Sequence, residues 1–402
     1  MNFPSDLEIS PLSDSLAGKK LDVVVTGSIG AVESVRFIRS LRRLGAEVTA
    51  WLTQGGAKFI TETALEWATT RSVMTEFSGT HSHLASGDAC IVSPASANFI
   101  YKLANGITDT PASALCASYC GSQKPVMVLP LMHDSLFNAP GVQENLSKLK
   151  SWGVFLDSRT EEGKQKFPEP AVLADMVSHH LRTQSRHAVV AFGGTVGYID
   201  DVRFIGNYST GALGSLITEE LYRQGFNVTA IKGTGQVPPK SYTNLKSALT
   251  NEDLKSSLNS SFEKDVDALI FLSAVLDYIP EEKRSGKIRS GEKNFNVPLK
   301  PTEKIISQFQ PKTPIKVGFK LEPNLTDLNI KQLALDYITK YNLSMLVINA
   351  KDDVSQTEHK AVLCKKNMDK IDLEKQESKL ELAQAIAKHT LNGVRLFYED
   401  NN

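Results

Sequence analysis

Short runs of β-branched and aliphatic residues recur along the chain, each closed by a glycine-rich turn and followed by an amphipathic stretch. Leu21-Asp22-Val23-Val24-Val25 is the first; it ends in Thr26-Gly27-Ser28-Ile29-Gly30, after which Val35, Ile38 and Leu41 fall on one helical face before Gly45. Residues 46–53 read as a second strand, 89–93 as a third and 125–130 as a fourth, with helix-sized segments between. Such alternation predicts a parallel sheet with helices on both faces, because strands buried on both sides lose the in-out alternation of a solvated sheet.

The pattern then restarts. Polar Arg182-Thr183-Gln184-Ser185-Arg186 reads as a linker, residues 187–192 run into Gly193-Gly194-Thr195, and Arg223-Gln224-Gly225-Phe226-Asn227-Val228-Thr229-Ala230 echoes Arg43-Leu44-Gly45-Ala46-Glu47-Val48-Thr49-Ala50. Residues 268–272 and 345–348 predict further strands of a second sheet, and 379–389 a late amphipathic helix. Two α/β domains are therefore expected, at 19–182 and 187–402, after a flexible arm at 1–18 whose Pro, Ser, Asp and isolated Leu follow no sustained period. A length of 402 residues suits two cores of roughly 100–200 residues each.

Composition narrows the function without naming it. Hydrophobic residues make up 41% and charged residues 22%, ordinary for a folded, soluble chain. Lys plus Arg and Asp plus Glu number 45 each, so no net positive field serves a nucleic-acid partner. Residues 1–20 hold no signal-like apolar run and no stretch approaches the ~20 apolar residues of a membrane span, so the expectation is a cytoplasmic protein without a membrane partner. Cys90, Cys116, Cys120 and Cys364 lack CxxC spacing and are expected as reduced thiols without a function.

Candidate chemistry in the second half begins at Gly193-Gly194-Thr195, where a strand end offers backbone N–H groups to an anion. Residues 199–211 then pack Asp200, Asp201, Arg203, Asn207 and Ser209 into one segment ahead of a helix. Farther on stand Ser273-Ala274-Val275-Leu276-Asp277-Tyr278-Ile279-Pro280, Lys287-Ile288-Arg289, Val317-Gly318-Phe319-Lys320-Leu321-Glu322, and Lys340 ahead of Val347-Ile348-Asn349. In this order the motifs resemble those of phosphopantothenate-cysteine ligases. The resemblance implies that the carboxylate of 4′-phosphopantothenate attacks the α-phosphorus of CTP or ATP, and that the amine of cysteine then displaces the nucleotide. The fused arrangement points to CTP, while the wording at Phe319 to Glu322 is also similar to that of ATP-using relatives.

Carried over by position, Asn207 would hold the acyl-nucleotide carbonyl oxygen by its amide, and Lys287 would offset phosphoryl charge from a lid at 281–296. The nucleotide would meet Gly193, Gly194, Thr195, Ala274, Asp277, Lys287, Thr302, Glu303, Lys304, Ile305, Phe319 and Lys340. Mg2+ would be shared by phosphate oxygens, with no protein metal ligands assigned. Two positions depart from the family wording. Ala212 stands in Gly211-Ala212-Leu213-Gly214 where the family has Gly-Lys-x-Gly, and Asp336 stands where a lysine often precedes Lys340, which would shift phosphate contacts to Lys331.

In the first half, Thr26-Gly27-Ser28-Ile29-Gly30 presents amides and a hydroxyl at a helix N-terminus, an anion site that by itself suits FMN, NAD or a plain turn. Leu52-Thr53-Gln54-Gly55 and residues 93–109, opening Ser93-Pro94-Ala95-Ser96-Ala97-Asn98, resemble the FMN-dependent cysteine decarboxylases, phosphopantothenoylcysteine decarboxylase among them. By position the flavin would be met by Gly27, Ser28, Ile29, Thr53, Ser96, Ala97 and Asn98, and His81 of His81-Ser82-His83-Leu84 would be the active-site histidine. The departures lie on the substrate side. His133 replaces the asparagine that binds the substrate carboxylate in the family, and residues 157–170, where a clamp cysteine is expected, hold no Cys.

Together the two resemblances imply two doubly wound, Rossmann-like α/β domains, flavoprotein-type followed by ligase-type, in a bifunctional enzyme of coenzyme A biosynthesis. Trimeric flavoprotein halves and dimeric ligase halves in the family imply a homo-oligomer. Two alternatives stay open: an active ligase whose flavoprotein half serves only flavin binding or assembly, and a flavin- and nucleotide-binding regulator or scaffold.

Overall fold

The computed structural model describes residues 7–79, 83–183, 185–289, 295–322, 327–350, 360–367 and 370–401. The chain forms two compact units, Met1–Arg182 and Thr183–Asn402. In the first, β1 (Lys20–Val25), β2 (Glu47–Leu52), β3 (Ala89–Ala95), β4 (Val126–Pro130) and β5 (Val154–Phe155) form a parallel sheet in the order β2-β1-β3-β4-β5. Antiparallel β6 (Arg159–Glu161) and β7 (Lys164–Lys166) make a separate hairpin. The helices are α1 (Ser34–Arg43), α2 (Glu62–Thr69), α3 (Ala97–Ala104), α4 (Pro111–Gly121), α5 (Asp134–Phe137), α6 (Pro140–Lys150) and α7 (Pro170–Arg182).

Successive residues of β1 feed opposite faces of this sheet, as the two-residue period of a strand requires. Val23 and Val25 pack with Phe37, Ile38 and Leu41 of α1 and Leu173 of α7, while Val24 packs on the other side with residues of α3, α4 and α6. Each such side chain contributes ~1.5–3 kcal/mol by leaving water. The expected flexible arm is corrected over its last residues. Leu12 and Leu16 donate backbone N–H groups to Arg43 O and Leu44 O, both within 2.8 Å, and Leu16 is fully buried. An isolated leucine thus docks at the end of α1, a long-range contact that a local period does not reveal.

The second unit runs in chain order through β8 (His187–Gly194), the hairpin of β9 (Val196–Tyr198) and β10 (Phe204–Gly206), α8 (Ala212–Arg223), β11 (Asn227–Lys232), β12 (Asn244–Ser247) and α9 (Asn251–Phe262). It continues with β13 (Ala268–Ala274), the hairpin of β14 (Tyr278–Pro280) and β15 (Leu299–Pro301), β16 (Ile315–Glu322), α10 (Asp327–Tyr341), β17 (Met345–Ala350), β18 (Ala361–Asn367), β19 (Lys370–Gln376) and α11 (Lys379–Asp400). The main sheet has the order β12-β11-β8-β13-β16-β17-β18-β19. It is parallel except at β18 and β19, which add an antiparallel edge. On one face Val190 and Phe192 pack with Ile217 of α8 and Leu382 of α11; on the other Val189 and Ala191 pack with Leu254 and Leu258 of α9. Among the described residues no helix is long and apolar enough to cross a membrane.

Candidate active sites

In the second unit the strand order reverses between β8 and β13, where Gly193 pairs with Ser273 and Gly194 with Ala274. Doubly wound sheets open a ligand crevice at such a point, outside the C-terminal ends of the strands. Both glycines are sterically required. Gly193 lies at φ +86°, and a Cβ on it would collide with Thr234 O, while one on Gly194 would collide with Asn207 O. Asn207 thereby lies directly over the strand end, and its amide donates to Ala274 O at 3.3 Å and Val275 O at 3.1 Å.

Thr195 acts from behind this turn. Fully buried, its hydroxyl donates to Asn251 Oδ1 at 2.6 Å and accepts from the Leu276 N–H at 3.0 Å, while Asn251 Nδ2 donates to Leu276 O at 2.9 Å. Thr302 grips the same turn from the other side, its hydroxyl donating to Leu276 O at 2.7 Å and its N–H to Asp277 O at 2.9 Å. With the backbone so held, Asp277 meets Lys304 at 2.5 Å.

The density of polar residues in 199–211 also has a structural cause. Asp200 is buried, and its carboxylate accepts from the N–H groups of Val202, Arg203 and Ile288 and from the Arg203 guanidinium. Burial alone would raise its pKa, but these donors hold it well below the usual carboxylate range. Asp201 pairs with Lys283 at 2.8 Å and accepts from the Gly286 N–H at 2.8 Å. The segment carrying Lys287 is therefore pinned on both sides of that residue, and the Lys287 side chain is exposed. Of the expected lid at 281–296, residues 290–294 lie outside the described residues.

Two cavities share Phe319. One, of about 200 Å³, is lined by Ala274, Asp277, Glu303, Lys304, Ile305 and Phe319 together with Lys320, Tyr337 and Tyr341. The other, of about 440 Å³, reaches from Phe192, Gly193 and Tyr208 past the start of α8 to Asn349 and Lys379. Lys340 stands on the exposed side of α10, its ammonium 5.4 Å from the Tyr341 ring centre, and neither it nor Lys287 lines either cavity. Lys320, Tyr337 and Tyr341 escaped the sequence reading. Their available signal was the i, i+4 spacing of two tyrosines on a helix, which puts the rings 5.6 Å apart, with Lys320 5.4 Å from the Tyr337 ring.

In the first unit the order reverses between β1 and β3. Thr26 ties the two strand ends, its hydroxyl donating to Pro94 O and accepting from the Ser96 N–H, both at 2.8 Å. Gly27 passes so close to Gly55 that a Cβ on it would stand 3.1 Å from that backbone. Ser28 Oγ donates to Leu131 O at 3.1 Å, and Thr53 Oγ1 donates to Val25 O at 3.2 Å. Ser96 precedes α3 without a side-chain capping bond, Ala97 is buried, and Asn98 is exposed in the first turn of that helix. The rim thus joins loops after β1, β2, β3 and β4, with a 3-10 turn starting at Ile29 and α3 starting at Ala97.

Beside Ser28 and Ile29 opens a cavity of about 810 Å³, walled by the β6–β7 hairpin; Thr53, Ser96, Ala97 and Asn98 lie outside its lining. The hairpin is tied to the chain at His133. Asp134 N–H donates to Gly163 O and Gln165 N–H to Met132 O, each at 3.0 Å, and Gln165 Nε2 reaches Asp134 Oδ1 at 2.9 Å. His133 caps α5: its Nδ1 accepts from the Ser135 N–H at 3.2 Å. In that tautomer the ring proton is on Nε2, and His133 is among the residues lining the cavity. His81 lies outside the described residues; its neighbour His83 packs edge-on against Phe77. Among the described residues no three His, Cys, Asp or Glu side chains converge as a metal site.

Two doubly wound units, each with a reversal point and with cavities nearby, define a two-domain α/β enzyme class. Residues 9–182 match the Flavoprotein family model, and residues 183–393 match that of the DNA/pantothenate metabolism flavoprotein C-terminal domain. The chain belongs to the CoaBC family of coenzyme A biosynthesis bifunctional proteins, a flavoprotein decarboxylase unit fused to a ligase unit. It is 34% identical to the Thermococcus kodakarensis CoaBC protein over 364 residues, 87% of this chain and 90% of that one. Identity to the Methanocaldococcus jannaschii CoaBC protein is 32%, over 86% and 87% of the two chains. The solved DNA/pantothenate metabolism flavoprotein from Streptococcus pneumoniae is 27% identical, aligns with 53% of this chain and 100% of its own, and has a TM-score of 0.45.

Proposed function

We propose that the second unit joins 4′-phosphopantothenate to cysteine with CTP, and that the first unit, holding FMN, decarboxylates the resulting 4′-phosphopantothenoylcysteine to 4′-phosphopantetheine. The ligase reading is carried by the two cavities that share Phe319, with the Gly193 turn against one and Ala274 against the other. A nucleotide base fits the smaller cavity between Phe319, Tyr337 and Tyr341, and the acid fits the larger. The carboxylate oxygen of the acid attacks the α-phosphorus, the bond to pyrophosphate breaks, and the cysteine amine then attacks the acyl carbon and releases the nucleotide. Asn207 is held over the strand end by its bonds to Ala274 O and Val275 O, and its amide would turn from these carbonyls to the acyl oxygen when the substrates bind. Lys287, on its pinned segment, supplies positive charge toward the phosphates, and Mg2+ rides on phosphate oxygens, as this hard cation prefers.

The first unit's rim supports the FMN reading. Backbone N–H groups at the turns and helix starts would serve a phosphate, and the Gly27–Gly55 approach brings backbone to the rim without side chains in the way. When bound there, FMN supplies the two-electron chemistry that oxidises the substrate thiol and reduces the product after CO2 leaves. His133 would present its Nε2–H where the family uses an amide N–H, keeping a donor for the substrate carboxylate.

The protein is to be incubated with 4′-phosphopantothenate, cysteine, Mg2+ and either CTP or ATP, with pyrophosphate and product masses measured. Pyrophosphate release, larger with CTP, and the mass of 4′-phosphopantetheine are expected. No pyrophosphate with either nucleotide overturns the ligase reading, and a product that stops at 4′-phosphopantothenoylcysteine overturns the decarboxylase reading.

A further inference from the structure

The smaller cavity of the second unit is walled by three rings, those of Phe319, Tyr337 and Tyr341, and by a strand face that carries charge. Side chains alternate along β16, so Gly318, Lys320 and Glu322 share one face. Gly318 and Lys320 line the cavity, and Glu322 follows on the same face at the strand end. Lys320 Nζ lies 3.3 Å from Glu322 Oε1 and 5.4 Å from the Tyr337 ring centre, and it also donates to the Tyr337 hydroxyl. The other charges on the lining are engaged elsewhere, Asp277 with Lys304 and Glu303 with Lys255.

Lys320 and Glu322 are already partners, yet neither is used up. An ammonium has three N–H donors, of which Glu322 and Tyr337 take two, and a carboxylate accepts several bonds. Partial burial lowers the Lys320 pKa, and the bonds to Tyr337 and Glu322 more than restore it, so the ammonium stays charged. A charged donor and a charged acceptor thus stand side by side next to three rings. Rings cover the faces of a planar base, and its polar edge then needs donors and acceptors of the right order. Cytosine and adenine offer a ring-nitrogen acceptor beside an exocyclic amine; uracil and guanine offer a ring N–H beside a carbonyl oxygen.

We infer that Lys320 and Glu322 select the nucleotide by its base edge, the ammonium donating to the ring nitrogen and the carboxylate accepting from the exocyclic amine. The pair therefore takes aminated bases and rejects uracil and guanine, whose carbonyl oxygen would face the Glu322 carboxylate, acceptor against acceptor. The inference rests on the ligase reading, which puts the base in this cavity, and adds the two residues that choose among bases.

CTP and UTP share ribose, phosphates and ring size and differ at this edge alone, so calorimetric titration of the full chain with each, in Mg2+, tests it. The wild type should bind CTP more tightly than UTP. In Lys320→Met the ratio of the two affinities should fall about ten- to hundredfold, the loss of one charge-assisted hydrogen bond. Glu322→Gln carries the sharper outcome, because its amide presents either an oxygen or an NH2 group at the same place: CTP should weaken while UTP strengthens, a reciprocal change that a merely structural role would not produce. In turnover the KM for 4′-phosphopantothenate should hold in both variants. A wild type indifferent to the base, an unchanged ratio, or equal weakening of CTP and UTP in variants with matching circular dichroism spectra overturns the inference. If the ratio moves as stated and no nucleotide yields pyrophosphate, the ligase reading falls and the inference stands.

Discussion

Asn207 and His389 show how differently single side chains act in the second unit. Asn207 is exposed, and its amide is fixed by two carbonyl groups over the strand end. If Asn207 holds the acyl oxygen as proposed, Asn207→Ala should lower steady-state pyrophosphate release by about 10²–10³ with nucleotide binding little changed, and matching circular dichroism spectra would show that the fold is kept. His389 is half-buried in α11, bonded through Nε2 to Ser344 Oγ at 3.1 Å. Burial, reinforced by Lys365, lowers its pKa from 6.5 to about 4. Because the folded chain resists protonation there while the unfolded chain does not, the unfolded state binds more protons between these two values, and stability falls as pH drops through that window. Unfolding in urea at stepped pH should show this slope in the wild type, and His389→Leu should flatten it.

Among the elements, the β6–β7 hairpin is tied to its surroundings in part by the Gln165 side chain, which donates to Asp134 Oδ1 at 2.9 Å and accepts from Ser158 Oγ at 2.5 Å. Gln165→Ala should raise hydrogen exchange across residues 159–166 and weaken substrate binding in the first unit, while FMN affinity holds; unchanged exchange would show that the backbone bonds at Gly163 and Met132 suffice. This hairpin, like β9–β10 and β14–β15, was not readable in the sequence, because three residues per strand are too few to display a two-residue period. The edge strand β19 carried a clearer trace in Lys370-Ile371-Asp372-Leu373, masked by the charges around it. Strands such as β1, β8 and β13 were legible because burial on both faces demands uninterrupted aliphatic runs. The site divides in the same way. Gly193, Asn207 and Asp277 lie at or just after strand ends and could be found in the sequence, whereas Tyr337, Tyr341 and Lys379 reach the cavities only through the packing of α10 and α11 on the sheet, which local sequence does not encode.

At the scale of the whole molecule, each unit has its own reversal point and its own two-sided core. Calorimetry should therefore resolve two melting transitions. FMN should raise one and CTP the other, since a ligand stabilises only the unit that binds it. A single transition moved equally by both ligands would contradict independent folding. Fragments 1–182 and 183–402, expressed separately, should each reproduce one of the two.

Phe319 lines both cavities of the second unit, and with acid and nucleotide placed in them as proposed, that shared wall would join the two ligand equilibria. A ring whose position favours the acid in one cavity changes the surface offered to the nucleotide in the other. By linkage, the factor by which acid alters nucleotide affinity must equal the factor by which nucleotide alters acid affinity. In Phe319→Ala both factors should move toward one together, so the order in which the substrates arrive would cease to affect how tightly the second is held.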